Sequence, residues 1–153
     1  MISDTHGLRR PQALEALGGS DRIVHAGDVG DPAVLDALAS MAPVTAVRGN
    51  IDRGGWAGRL PEAVTLVVGG VRLHVVHDLA TLDPAVDLSK VHVVIFGHSH
   101  IPSVERAGDT WFFNPGSAGP RRFRLPVSVG ELIVTDGRGT PRLRELSVGQ
   151  PRG

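Results

Sequence analysis

Five short stretches of this chain place a metal-capable side chain at the end of an apolar, strand-like run. They are Asp4-Thr5-His6, Gly27-Asp28-Val29-Gly30-Asp31, Gly49-Asn50-Ile51-Asp52, His77-Asp78 and Gly97-His98-Ser99-His100. The runs before them are Ile2-Ser3, Ile23 to His25, Thr45 to Val47, Leu73 to Val76 and Val93 to Phe96. Ligand sites gather at strand ends in α/β proteins. A chain that repeats this arrangement five times is therefore read as α/β, with its chemistry at those ends.

The remaining pattern agrees. Pro11 to Leu17 reads as a short helix stopped by Gly18-Gly19, and Asp31-Pro32 as the cap and first turn of a second. Val34, Leu35, Leu38 and Met41 then mark one apolar face at helical spacing. Hairpins are expected later, turning at Gly69-Gly70, Gly108-Asp109 and Asp136-Gly137, with Arg142 to Val148 as the last strand. Helices early and hairpins late suit two packed sheets with helices outside. The 153 residues suit one domain, 1–153, with 149–153 a frayed tail. Only three residues precede Asp4, short for a first strand, so a start upstream of Met1 is expected.

Composition excludes several classes. Without cysteine there is no disulfide, zinc-thiolate site or cysteine nucleophile. Sixteen basic residues balance sixteen acidic ones, which argues against a stable nucleic-acid partner. No apolar run approaches the roughly 20 residues of a membrane helix and no leader opens the chain, so a cytoplasmic protein is expected.

The proposed donors are imidazole nitrogen together with carboxylate and amide oxygen. That set suits Mn, Fe, Zn, Ni or Co better than Mg or Ca. In an extended backbone residues i and i+2 point the same way, which lets Asp4 join His6, and His98 join His100, at one site. Gly27, Gly49 and Gly97 allow a sharp turn or a close backbone approach.

In order and type, these five blocks resemble the calcineurin-like metallophosphoesterases. The family pattern is D-x-H, G-D-x-x-D, G-N-x-D/E, an isolated H and G-H-x-H, and the short chain is most similar to the small bacterial and archaeal phosphodiesterases. Asn114-Pro115-Gly116-Ser117 resembles the loop that follows in that subgroup. The resemblance, from Asp4 to about Leu146, implies a four-layer αββα sandwich of two mixed β-sheets flanked by helices. It also implies two divalent transition-metal ions, manganese first among them. Asp4, His6, Asp28 and His100 would bind one ion, and Asp28, Asn50, His77 and His98 the other, with Asp28 bridging. A hydroxide shared by the ions would attack phosphorus in a small organic phosphate ester. Asp28, Asn50 and His98 carry the catalytic role in this reading, and Asn50 and Arg122 hold substrate. A homodimer is also implied.

Two positions depart from the family. Ile51 stands where many members have a His that protonates or stabilises the leaving group. Asp78 stands where Gly usually follows the isolated His, either orienting an imidazole or lying exposed. Asp31 and Asp52 read as structural, as does His25. His74 and His92 read as solvent-facing strand residues. Arg121, Arg122 and Arg124 form a basic stretch that either steers phosphate or is merely solvated. Trp56 either packs in the core or meets a substrate or partner. Two other functions compete: a phosphomonoesterase or nucleotidase on the same site, and a non-catalytic scaffold resembling the retromer subunit. Such a scaffold replaces a metal-site His, whereas His77, His98 and His100 are all present here.

Overall fold

A computed structural model describes residues 1–149; the expected frayed tail therefore lies, from residue 150 on, outside the described residues. The first layer is built on β1 (Ile23–His25) and β2 (Val44–Ala46), which pair in parallel. Ile2 bridges to His25 in parallel on the other side of β1. Met1 exchanges two backbone hydrogen bonds with Gly130, at 2.6 and 2.8 Å. That contact joins the hairpin β8 (Ser128–Thr135) and β9 (Arg138–Glu145) to the same layer.

The second layer is a five-stranded mixed sheet in the order β3-β4-β5-β7-β6. Its strands are β3 (Ala63–Val68), β4 (Val71–Val76), β5 (Val93–Ile95), β6 (Ser103–Ala107) and β7 (Thr110–Asn114). All three expected hairpin turns are present. The last strand begins at Arg138 rather than Arg142, because Asp136 and Gly137 both take positive φ (52° and 71°) and close a two-residue turn.

Period-two alternation sorts side chains between layers. Leu73 and Val75 of β4, Val93 and Ile95 of β5, and Phe113 of β7 face Met1, Val24, Ala26 and Val47 of the first layer. Val76 and Val94 point the other way, under Leu79, Leu82, Val86 and Leu88. On the far side of the first layer, α1 (Pro11–Leu17) and α2 (Pro32–Ala39) bury Ala13, Leu17, Val34 and Leu38 against Ile2 and Ile23.

Asp31 caps α2 as expected, its carboxylate accepting from the Ala33 N–H at 2.8 Å. Met41 falls beyond the helix and is exposed, so the apolar face ends at Leu38. The outer layer over the second sheet is made of two 3-10 turns, Leu79–Thr81 and Leu88–Lys90, each capped by an Asp. That cover buries His74, which was expected to face solvent; its Nδ1 meets Thr65 Oγ1 at 2.8 Å. His92 is exposed, and Trp56 packs on the helical core.

Candidate metal centre

All seven candidate ligands come together at one edge, where the first and second layers present their strand ends. Asp28 stands between two groups of donors. Its Oδ1 lies 3.3 Å from His77 Nε2 and its Oδ2 lies 3.7 Å from His6 Nε2. His6 Nε2 faces His100 Nε2 at 3.2 Å, and His100 Nε2 lies 3.4 Å from Asp4 Oδ1. On the other side, Asn50 Oδ1 lies 3.0 Å from His77 Nε2 and 3.1 Å from His98 Nδ1. Asp4 reaches further than the resemblance implied: its Oδ1 is also 4.0 Å from His77 Nε2, so it touches both groups.

The local backbone is not the extended form expected from alternation. Asp4 (φ 52°), His6 (47°), Asp28 (53°), His98 (70°) and His100 (62°) are all left-handed. They are five of the seven non-glycine residues in that region among the described residues. Such strain costs about 1–3 kcal/mol per residue and persists only where neighbours impose it. Here Asp4 N donates to Gly27 O (3.0 Å), His6 N to Asp28 O (3.0 Å) and His98 N to Asp4 Oδ2 (3.1 Å). Asp and His are the side chains that both tolerate this conformation and bind metal. The i, i+2 spacing is thus met by two kinked residues rather than by one face of a strand.

Close approach explains two of the glycines. A Cβ at Gly49 would overlap Asp28, and one at Gly97 would overlap Ser3 and Asp4. Asp52 holds two ligand loops together, accepting from Gly30 N and Gly49 N (2.8 Å each) and from Val29 N (3.2 Å). Asn114 donates to Gly97 O and Ser99 Oγ (3.0 Å each), and Ser117 Oγ donates to Asp4 O (2.9 Å). The residues from 114 to 117 therefore brace the ligands from behind.

His25 is fully buried. Its Nδ1 accepts from Gly27 N (3.1 Å), so Nε2 carries the proton toward Thr5 Oγ1 (2.9 Å), and Thr5 Oγ1 donates to Val29 O (2.9 Å). Burial holds this imidazole neutral, lowering its pKa to about 3. Sequence reasoning had no signal for Thr5 or Ser3, whose partners lie across the fold. Asp78 faces His98 rather than its neighbour His77, with Oδ2 3.7 Å from His98 Nε2.

The donors fit a cation. Asp4 is buried; its Oδ2 accepts from Ser3 Oγ (2.7 Å) and His98 N, but its Oδ1 has no hydrogen-bond partner. Buried polar atoms are normally satisfied, so a carboxylate oxygen facing the imidazoles of His77 and His100 and left without a hydrogen bond points to a missing positive charge. His77 donates Nδ1–H to Ala26 O (2.7 Å), which leaves the Nε2 lone pair facing the oxygens of Asp28 and Asn50.

The titrations reflect the same crowding. Burial pushes the Asp4 carboxyl up to about 6. Burial also pushes Asp28 upward, but His77, the Ile51 N–H and His6 outweigh it and hold Asp28 below its ordinary range. Burial, Arg122 and His6 bring His100 down to about 4. Arg122 itself is exposed.

Two buried carboxylates with four imidazoles and one amide, of which His98 and Asn50 are exposed, at the strand ends of a two-sheet α/β sandwich, define a metal-dependent hydrolase of phosphoric esters. The chain belongs to the calcineurin-like phosphoesterase superfamily, whose domain matches residues 1–137. It is 34% identical to a probable metallophosphoesterase of Methanocaldococcus jannaschii, over 89% of this chain and 75% of that one. Phosphodiesterase YfcE of Escherichia coli is 30% identical, covering 85% of this chain and 84% of its own. A solved YfcE structure aligns with TM-score 0.62 at 27% identity, covering 84% of each chain. Vps29 of Chaetomium thermophilum aligns with TM-score 0.73, covering 98% of this chain and 97% of its own; at 22% identity it speaks for the fold alone. Among the described residues no helix is long and apolar enough to cross a membrane.

Proposed function

We propose that this protein is a phosphodiesterase that hydrolyses a small organic phosphate at a dinuclear metal site. Asp4, His6, Asp28 and His100 hold one divalent ion. Asp28, Asn50, His77 and His98 hold the other, with manganese the preferred metal. The observation that supports this most is the unpartnered Asp4 Oδ1, buried among nitrogen donors and beside a second carboxylate whose two oxygens face different histidines. When bound, such a pair of ions neutralises phosphate charge and makes water acidic enough to serve as a nucleophile near neutral pH.

The chain supplies the rest. Asp28 and Asp4 set the two donor groups side by side. Asn50, a neutral ligand, leaves the centre more positive than a third carboxylate would. Arg122 adds a positive charge on the His6 side, its effect felt at both His6 and His100. Position 51 contributes no proton donor, so the leaving group departs without help from that side chain. The balanced charge of the chain fits a small substrate rather than a stable nucleic-acid complex, and the same reading takes the protein as cytoplasmic.

The test is to strip the protein of metal, restore manganese, and measure hydrolysis of an activated aryl phosphodiester beside its monoester. Manganese-dependent diester turnover that disappears in Asp28→Asn is the expected result. A folded, metal-loaded protein with no turnover on either ester would favour the scaffold reading instead. Turnover on the monoester alone would make it a monoesterase.

A further inference from the structure

The first layer is not one continuous sheet. The pair β1–β2 and the hairpin β8–β9 are separate ladders, joined through Met1 and Ile2, which run between them. Behind Met1 the two ladders part, and a cavity of about 330 Å³ lies there. Its walls include Leu17, Arg22, Val24, Leu73, Leu132 and Val134.

Both long sides of this cavity are strand edges. In β1, Ile23 and His25 serve β2: Ile23 N donates to Pro43 O (2.9 Å) and His25 O accepts from Val47 N (3.1 Å). Val24 faces the other way. Its O accepts from Ile2 N, and Ala26 N donates to Ile2 O, both at 2.9 Å. The Val24 N–H and the Arg22 carbonyl therefore face the next position back along the same line, before Met1. In β8, Leu146 N donates to Val127 O (2.8 Å), which turns the odd-numbered residues toward the β9 side, while Gly130 exchanges both its bonds with Met1. Leu132 stands on the same edge as Gly130, and its β9 neighbour is Pro141, which has no N–H. Leu132 and Val134 thus present their backbone groups to the cavity.

The side chains repeat the match. Met1 lies in the inter-sheet core and Ile2 in the helical core. Carried backwards, that alternation aims one residue at Leu17 of α1 and the next at Val68 and Leu73. From Gly130 to Val134 the free edge runs about 13 Å, room for about four residues. At the inner end of the cavity the Met1 ammonium is buried and donates to Gly130 O at 2.6 Å, and burial brings its pKa down to about 5. A peptide N–H in that place would make the same bond without burying a charge.

We propose that this cavity is a strand-acceptor slot, filled by about four extended, apolar residues joined to the N-terminal side of Met1. The segment runs parallel to β1 and antiparallel to β8. Its residue next to Met1 donates to Arg22 O and accepts from Val24 N, and the one before that exchanges both bonds with Leu132. The first layer then closes into a single sheet in the order β9-β8-segment-β1-β2. The two facing edges carry this inference, which is independent of the phosphoesterase reading. It also bears on the metal centre, because the same line leads three residues beyond Met1 to Asp4.

The experiment compares the 153-residue chain with two extended forms, one carrying Met-Thr-Val-Val before Met1 and one carrying Met-Ser-Gly-Ser. The apolar extension is expected to lower the unfolding constant in urea about 10- to 100-fold, the polar one to change it little. Hydrogen exchange of the Val24 and Leu132 amides should slow at least tenfold with the apolar extension alone. Equal stability of the two extended forms, unchanged exchange at Val24 and Leu132, or an apolar extension that prevents folding would overturn the slot. Sedimentation completes the test: a 153-residue chain that is already a dimer with both amides protected, or an apolar form that protects them only as a dimer, would give the slot to a second copy and overturn the proposal.

Discussion

Replacing Asp4 by Asn should stabilise the metal-free protein while destroying its response to metal. Burial raises the Asp4 pKa from 3.8 to about 6. The folded state thus holds this proton more tightly than the unfolded chain does. Its contribution is fully present below about pH 4, is lost as pH rises to about 6, and stays lost above that. At about 1.4 kcal/mol for each step of one in pKa, ionised Asp4 costs the metal-free fold about 3 kcal/mol at pH 7.5. Asn removes the charge and keeps the shape. Its carbonyl oxygen can replace Oδ2 as acceptor for Ser3 Oγ and His98 N. Its amide group then replaces Oδ1, 3.4 Å from His100 Nε2, where it can donate.

Metal-free Asp4→Asn is therefore expected to exceed the wild type by about 3 kcal/mol at pH 7.5. That is roughly 6–12 °C in melting temperature for a chain of this size. The gap should close by pH 4. With manganese at a hundred times its dissociation constant, the wild type regains about 2.7 kcal/mol and the variant little. Urea or thermal unfolding in chelator at pH 4, 5, 6 and 7.5, repeated with metal, measures all of this. A variant less stable than the wild type in chelator at pH 7.5, or a gap independent of pH, would refute the account of Asp4 as an unpaired buried charge awaiting a cation.

Asp52→Ala strips the acceptor from Val29 N, Gly30 N and Gly49 N. It should cost roughly 2–4 kcal/mol in urea unfolding at unchanged slope. Asp78→Asn, which weakens the partner 3.7 Å behind His98, should lower metal affinity about tenfold in a chelator competition, with Asp78→Glu restoring part of it. Ile51→His should raise hydrolysis of esters with poor leaving groups more than of those with good ones; an unchanged ratio across a leaving-group series would remove the role given to this position.

That seven candidate ligands come together was legible in the chain because each candidate is a local event. A β-branched run, then a glycine or a turn, then Asp, Asn or His can be read without knowing where the strand goes. Helix starts were equally local, since the cap of α2 is Asp31 bonding two residues on. The conformation of the ligands was not legible. Alternation predicted extended pairs, yet Asp4, His6, His98 and His100 are left-handed, the first three tied by hydrogen bonds to other segments. His74 was misplaced for a related reason. Strand alternation does point it away from the inter-sheet core, but the cover supplied by Leu79, Leu82 and Val86 comes from a stretch without periodicity.

Residue type, order and spacing by themselves determined that seven donors of metal-binding chemistry would stand at strand ends. Only the tertiary structure decided how they are arranged: that Asp28 divides its oxygens between two groups of histidines, that Asp4 keeps one oxygen without a hydrogen bond, and that Asp78 faces His98 rather than His77. Those assignments depend on distances between residues up to 96 positions apart (Asp4 to His100). Such distances are set by the packing of two sheets and by the hydrogen bonds that bend each ligand loop inward, neither of which a local pattern encodes.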